Sequence, residues 1–341
     1  MNIKSLLIGS AAAFAAVSGA QAADAIVAAE PEPMEYVRVC DAFGTGYFYI
    51  PGTETCLKIG GYVRFQVNVG EEAAYDNSGN PAYRAREIDG GPSDWDSGTQ
   101  VYLTLDAKSD TELGTLTGYI ALEADNDGWA SDVYTDEAYI QLGGFKAGLI
   151  YSNWDKGING ETDDLHGGNV FNSIQYIYEG GAFSALLSVD ELEYNIDHSN
   201  GVGVTGLVTA ALGGVSIDLL GSYDTYNDEG AIRAILSADV GPGTFQLGGV
   251  WASDVNAYYD EAEWTVAASY AFKATEKLTI TPAAQYWSDY GFRSGEDQWR
   301  VGLTVGYGIT QGLDLLATVN YTDVDGGDDT TTGFLRLQRN F

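Results

Sequence analysis

The connections between short, alternating segments constrain the fold of this chain most strongly. From residue 57 onward, apolar and polar residues alternate in stretches such as LKIGGYVRFQVNV and GLDLLATVNYTD, as they do in half-buried β-strands. A long, acidic loop follows each odd-numbered stretch, and a tight turn such as GG or GPG follows each even-numbered one except the last. A soluble sandwich gives no reason for this sorting, whereas membrane barrels have short periplasmic turns and long extracellular loops. The pattern therefore predicts an all-β, transmembrane antiparallel β-barrel.

The predicted strands are even in number, as expected for such a barrel. Their typical length is the roughly 9–11 residues that a tilted strand needs to cross a bilayer. The sixteen segments are 57–69, 98–109, 114–125, 134–143, 144–151, 172–179, 181–189, 201–212, 213–224, 231–240, 243–253, 262–272, 277–288, 297–308, 311–322 and 332–341. One stretch, GVGVTGLVTAALGGVSIDLL, also resembles a transmembrane helix, but its central Gly-Gly and its Asp218 favour two strands around a turn.

The first residues carry an export signal. A lysine, a short apolar run and the small residues around Ala22 predict a signal peptide over 1–22, since the run is too short for a membrane anchor. In an oxidising compartment Cys40 and Cys56 are expected to form a disulfide rather than remain free thiols. A metal site needs more ligands, because His166 and His198 lie far apart in sequence. Residues 23–56 then precede a barrel of residues 57–341.

Charge excludes some functions and suggests others. The formal net charge of −33 argues against nucleic-acid binding, and a hydrophobic content of 45% argues against disorder. The eight predicted outer loops hold 28 acidic and 4 basic residues, a net of −24. Outer loops with this charge concentrate cations at the outer end of the barrel and bind divalent ions that bridge to anionic lipopolysaccharide.

Aromatic residues mark the expected membrane interfaces. Two pairs on predicted strands, Trp264 with Phe272 and Trp299 with Tyr307, are each eight residues apart on one face. On a strand tilted by about 40° this separation covers roughly 20 Å of membrane, close to the apolar band of such barrels. The final Phe341 is expected to anchor the closing strand, and a C-terminal Phe is a feature that barrel-assembly factors read.

Three stretches resemble a known family. MNIKSLLIGSAAAF with GAQAADAIVA, then EYVRVCDAFGTGYFYIPGTETCLKIGGYVR, and the terminal RLQRNF are similar to the general porins of alphaproteobacteria, found in Brucella and its relatives. The resemblance implies a homotrimeric, sixteen-stranded barrel of a Gram-negative outer membrane that passes small hydrophilic solutes by diffusion. Solute preference is not carried over, because the outer loops are so acidic.

The resemblance also implies a constriction. In general porins the third outer loop folds into the lumen, and here that loop is 152–170. Its acidic candidates are Asp155, Glu161, Asp163 and Asp164. Strand parity points five basic residues inward: Lys58, Arg64, Arg233, Arg300 and Arg336. Opposed charges across a pore set a transverse field that orients polar solutes. The alternative places the loop acids on the outer rim.

The leading prediction is a mildly cation-preferring diffusion channel without a cofactor or metal. A substrate-specific channel remains open, because a saturable site leaves no mark on the sequence. A secreted adhesin predicts polar outer strand faces, which these segments lack. An enzyme is less favoured, because the two histidines lack a plausible nucleophile or metal partner.

Overall fold

The computed structural model describes residues 38–70, 95–126, 131–165, 167, 170–192, 201–327 and 329–341. The predicted signal peptide, both histidines and most of the first outer loop lie outside these residues. No helix within the described ranges has the length and apolar character to cross a membrane.

Seventeen strands make up the described fold, and a short 3-10 helix covers Asn153–Asp155. The first strand, β1, has only two residues, Phe48–Tyr49. The barrel strands are β2 Cys56–Gly70, β3 Trp95–Thr111, β4 Gly114–Asn126, β5 Ser131–Leu142, β6 Phe145–Tyr151, β7 Val170–Gly180, β8 Phe183–Glu191, β9 Val202–Leu212, β10 Val215–Asp224, β11 Glu229–Val240, β12 Gly243–Ala252, β13 Ala262–Lys273, β14 Leu278–Tyr290, β15 Gln298–Thr310, β16 Leu313–Val324 and β17 Thr330–Asn340.

These sixteen barrel strands confirm the sixteen predicted segments, with each boundary displaced by three residues or fewer. The helix-like stretch at 201–220 belongs to β9 and β10, which are joined at Gly213, where φ is +67°. Glycine adopts that left-handed conformation without the steric cost that a Cβ would add. The observed pairing therefore supports the two-strand interpretation of this stretch.

The sheet closes on itself. Each barrel strand pairs antiparallel with its sequence neighbours, and β17 pairs with β2, where Leu337 lies opposite Phe65. Closure removes the unpaired edge that lipid does not tolerate. At the seam the Phe341 amide donates to the Gly61 carbonyl at 3.1 Å, and the Gly61 amide donates to the Phe341 carbonyl at 3.2 Å. The last residue is thus part of the closure.

Apolar side chains cover the outer surface of the wall. On β2, Val63 and Phe65 are 44% and 48% exposed, whereas the intervening Arg64 faces inward and bonds to Gln338 of β17. The five predicted interface aromatics are all exposed: Trp264, Phe272, Trp299, Tyr307 and Phe341. An apolar exterior around a polar interior is the arrangement of a barrel whose outside solvent is lipid.

A disulfide-closed segment precedes the barrel. Cys40 and Cys56 form the predicted disulfide, with a Cα–Cα distance of 6.0 Å and a sequence separation of 16. Closing a loop of this length stabilises the fold by about 3 kcal/mol in the chain-entropy model. Tyr47 within the segment donates to Asp106 Oδ2 at 2.5 Å, at the short-turn end of β3. Burial and then this hydrogen bond raise the pKa of Tyr47, so the phenol remains a neutral donor.

Candidate functional site, the lumen of the barrel

The loop between β6 and β7 lies inside the barrel. Ser152 begins the short 3-10 helix by accepting a hydrogen bond from the Trp154 amide at 3.2 Å. Beyond it, residues 152–165, here called the constriction loop, form hydrogen bonds with uncharged, inward-facing side chains of five strands. These contacts are Trp154 with Ser222 of β10 at 2.8 Å, Asn159 with Gln246 of β12 at 2.6 Å, Asp164 with Gln285 of β14 at 2.5 Å, and Glu161 with Thr304 of β15 at 3.0 Å and Asn320 of β16 at 2.9 Å.

Small wall residues make room for this loop. A Cβ added at Gly248 would lie 2.2 Å from Leu165 Cδ1, and one at Gly302 would lie 2.3 Å from Thr162 Oγ1. Trp154 and Leu165 are fully buried in the same apolar cluster. Because contacts this short do not occur between real side chains, the glycines let the loop lie directly on the wall.

Two of the predicted wall arginines hold the loop backbone. Arg233 donates from Nη1 to the carbonyl oxygens of Trp154 at 2.8 Å and Leu165 at 3.2 Å. Its Nη2 donates to the Asn153 carbonyl at 2.5 Å, so it joins both ends of the loop. Arg300 donates to the loop at 3.4 Å, to the Thr162 carbonyl. Both guanidinium groups are buried, which gives them a structural position rather than one that faces open water.

Two of the four predicted loop acids are also buried. Asp163 and Asp164 are 7% and 5% exposed, and Asp163 Oδ2 accepts from the Ile158 amide at 3.1 Å. The Asp163 carboxylate thus lies against the loop's own backbone, and the Asp164 amide donates to Gln285 of the wall. An exposed position belongs instead to Asp155, while Glu161 is half-buried and lies 3.6 Å from Arg336 of β17. The loop also carries a base, Lys156, which pairs with Asp218 of the wall.

The remaining predicted bases separate into two places. Arg64 and Arg336 lie near each other, and each donates from Nε across the seam, to Gln338 at 2.8 Å and to Gln66 at 2.6 Å. Both line a cavity of about 720 Å³. Lys58 lies at the short-turn end, 5.9 Å from the ring centre of Tyr47. The sequence therefore grouped five bases that the fold divides among three environments.

A second outer loop also enters the barrel, and sequence reasoning missed it. In the connection between β12 and β13, residues 256–259 are all buried. The signal was present as two adjacent tyrosines, Tyr258 and Tyr259, in an otherwise polar outer loop. Large aromatic side chains have much to gain from burial, so such a pair is a reason to expect a loop to fold inward.

Carboxylates line the wall that these loops leave uncovered. Glu123 and Asp125 of β4 accept hydrogen bonds from Tyr134, at 2.6 Å and 3.1 Å. A register shift of β5 against β4 leaves Asp136 without an opposing residue, next to Glu137. Asp136 accepts from the Tyr151 hydroxyl at 2.6 Å. Among the described residues, none of these four carboxylates, here called the acidic wall, forms an ion pair.

The lumen thus has two unlike sides. The filled half is the wall of β7–β13, on which the two inward loops pack around a shared apolar cluster, and the constriction loop extends from it over β14–β16. The open half is the wall of β2–β6 with β17, which carries the acidic wall, Arg64 and Arg336. Within the described residues, the open half is the side of the lumen that the two inward loops leave uncovered.

Known proteins are similar to this chain in sequence. The profile of the Porin subfamily matches residues 24–335. A Sinorhizobium fredii protein named for the outer membrane, y4fJ, is 61% identical over 100% of this chain and 99% of its own length. Porin Omp2a of Brucella suis is 34% identical over 100% of both chains.

Solved structures share the fold at low sequence identity. The outer membrane channel DcaP of Acinetobacter baumannii is 14% identical, with a TM-score of 0.67 over 86% of this chain and 99% of that chain. A mutant of the Rh. blastica porin is also 14% identical, with a TM-score of 0.59 over 84% of this chain and 100% of that one. With its closed sixteen-stranded barrel and its extensive match, the chain belongs to the porin family and is an outer-membrane channel of a Gram-negative bacterium.

Proposed function

We propose that this porin passes small hydrophilic solutes by passive diffusion and prefers cations moderately. The acidic wall carries this proposal. Its carboxylates accept hydrogen bonds from hydroxyl and amide groups, as Glu123 does from Gln100 at 2.7 Å, and these contacts leave the negative charge unneutralised. Negative groups beside a narrow aqueous path attract cations more strongly than they do in bulk water.

Basic groups limit the preference. Arg64 and Arg336 lie on the same open half and raise the local concentration of anions. Of the loop acids, Asp155 and Glu161 are the two that we assign to the pore, while Asp163 and Asp164 are assigned a structural role. The acidic outer loops add a field that salt screens, with a Debye length of about 10 Å at 0.1 M. Selectivity is therefore expected to be moderate and to weaken as salt rises.

Reversal potentials in a planar bilayer under a salt gradient test this proposal. The double variant Glu123→Gln/Glu137→Gln removes two charges from the acidic wall with little change in size. Its control is Asp325→Asn/Asp329→Asn, which removes the same charge from an exposed outer loop. The wall variant is expected to shift the reversal potential toward anions more than the loop variant does. An anion-selective wild type, or equal shifts in the two variants, contradicts the proposal.

A substrate-specific channel is the second candidate, and paired aromatic rings favour it. Tyr62 stacks on Tyr102 with centroids 5.2 Å apart, and Tyr119 stacks on Tyr139 at 4.9 Å, on inward positions of β2–β5. Such rings offer apolar surface to a solute that also needs polar partners. Conductance that saturates with one solute, with measurable competition between solutes, supports this candidate over free diffusion.

The assembly that we propose is a homotrimer. A trimer form is named for the Vibrio cholerae protein OmpT, which has a TM-score of 0.62 over 85% of this chain and 100% of that chain. Here Gly206 lies opposite Gly221 on the lipid side of β9 and β10, where small residues allow close packing. Native mass spectrometry in mild detergent is expected to show trimers; monomers alone contradict the proposal.

We propose two further partners. One is lipopolysaccharide, bound through divalent ions, and the other is the barrel-assembly machinery, which recognises Phe341.

A further inference from the structure

The connection between β12 and β13 folds into the barrel and is held there by buried side chains. Within residues 253–261, here called the tyrosine loop, Asn256 Oδ1 accepts from the amides of Tyr258 at 3.1 Å and Tyr259 at 3.2 Å. This tight turn directs both rings into the barrel, where Tyr258 and Tyr259 are 0% and 1% exposed. A solvated outer loop has no need for such burial.

Tyr258 reaches a carboxylate on the far side of the filled half. Its hydroxyl donates to Asp190 Oδ2 at 2.8 Å. Three wall hydroxyls also donate to Asp190: Ser173 at 2.6 Å, Ser188 at 2.5 Å and Thr205 at 2.9 Å. Burial and then the charge of Asp190 raise the pKa of Tyr258 far above its ordinary value, so the phenol stays a donor. Tyr258 is therefore one of four donors to this buried carboxylate and one of the two that bond to Oδ2, so moving the tyrosine loop removes part of what stabilises the charge.

The same network continues to the constriction loop. The hydroxyls of Thr205 and Ser222 lie 2.8 Å apart, and Ser222 accepts from Trp154 Nε1 at 2.8 Å. Direct ring contact adds to this chain of bonds, because the centroids of Trp154 and Tyr259 are 6.1 Å apart. The tyrosine loop and the constriction loop thus share both a polar network and an apolar core.

We propose that the tyrosine loop is a second pore-shaping element, which closes the filled half of the lumen and holds the constriction loop in position. Tyr258 acts as a positioning residue: it touches no solute, but it fixes the loop that does. When Tyr258 leaves its place, the neighbouring Tyr259 shifts against Trp154 and ions gain access to the filled half. The proposal requires only that the protein conducts, so its test is independent of cation preference.

A single methyl group provides the test. A Cβ at Gly203 of β9 would lie 1.8 Å from the Tyr258 hydroxyl and 2.6 Å from Cζ, so Gly203→Ala displaces the ring. Gly118→Ala on β4 is the control, because a Cβ there would have no neighbouring heavy atom within 4 Å. A third variant, Tyr258→Phe, removes the hydroxyl and adds no atom.

Single-channel conductance and open-channel noise are measured for each variant, after heat-modifiable migration in gels has shown that it folds. Gly203→Ala is expected to raise conductance by roughly 1.5-fold or more, since conductance follows the open cross-section. Gly118→Ala is expected to match the wild type. A folded Gly203→Ala channel with wild-type conductance and noise overturns the proposal. If that variant does not assemble, Tyr258→Phe decides: increased noise supports the proposal, and wild-type noise overturns it.

Discussion

Two inward-facing arginines show how differently the halves of the lumen use the same side chain. Arg233, in the filled half, is 2% exposed, and its guanidinium donates hydrogen bonds to three loop carbonyls. Arg336, in the open half, donates a hydrogen bond across the seam to Gln66 and lies 3.6 Å from Glu161. Both face the lumen from barrel strands. What lies in front of each guanidinium decides whether it stabilises a loop or contributes to the electrostatics of the pore.

The same contrast extends to acids. In the filled half Asp190 is buried and accepts four hydroxyl donors, which stabilises its charge without water. In the open half Glu123 and Glu137 are only partly buried, although Asp136 beside them is 5% exposed, as buried as Asp164. Strand parity tells which side chains face the lumen, but exposure within the lumen depends on the loops. Loop packing therefore decides which wall side chains are exposed in the lumen.

The largest expected effect is a difference in cysteine accessibility. Thr104→Cys places a thiol on the inward face of β3 in the open half, and Ser269→Cys places one on β13, where Ser269 is 3% exposed. A water-soluble thiol reagent is expected to modify the second site on the order of 100-fold more slowly, because reaction there requires local opening. The native cysteines are joined in the disulfide and do not interfere. Equal modification rates at the two cysteines would contradict the division of the lumen into a filled half and an open half.

A smaller effect is expected from lifting the constriction loop off its wall. Gly302→Ala sets a Cβ 1.9 Å from Asn320 Oδ1 and 2.3 Å from Thr162 Oγ1. Gly306→Ala is its control on β15, since the nearest atom there is Leu316 Cδ1 at 3.6 Å. We expect altered conductance and more frequent substates for the first variant only. Identical single-channel records for the two variants would show that contact at Gly302 does not hold the loop.

The smallest effect is expected at the boundary between the halves. Glu161→Gln removes one half-exposed ion pair, of a class that contributes about 0–1 kcal/mol. The fold should persist, and the reversal potential should shift toward anions by less than in the Glu123→Gln/Glu137→Gln channel. A larger shift for Glu161→Gln would place the narrowest charged point on the constriction loop rather than on the acidic wall.

The sequence determined the barrel far better than the interior. Alternation and turn spacing predicted every barrel strand, because lipid imposes a strict two-residue period on the outer face. The role of Asp163 was not readable, since a buried acid and a rim acid look alike in a polar loop. The position of Asp136 depends on a register shift between β4 and β5, which no periodicity reveals. The inward fold of Tyr258 depends on partners from β7, β8 and β9, which are distant in sequence.

The reciprocal bonds between Phe341 and Gly61 bear on errors of closure. A slip of β17 by one residue would turn Arg336 toward lipid, at a cost of about 2–4 kcal/mol near the bilayer midplane. A slip of two residues keeps the faces correct, so hydrophobicity alone does not reject it. That slip would, however, separate Phe341 from Gly61 and Arg64 from Gln338, which bond in the native register. The end of the chain therefore distinguishes the native closure from the even-numbered slips that lipid tolerates.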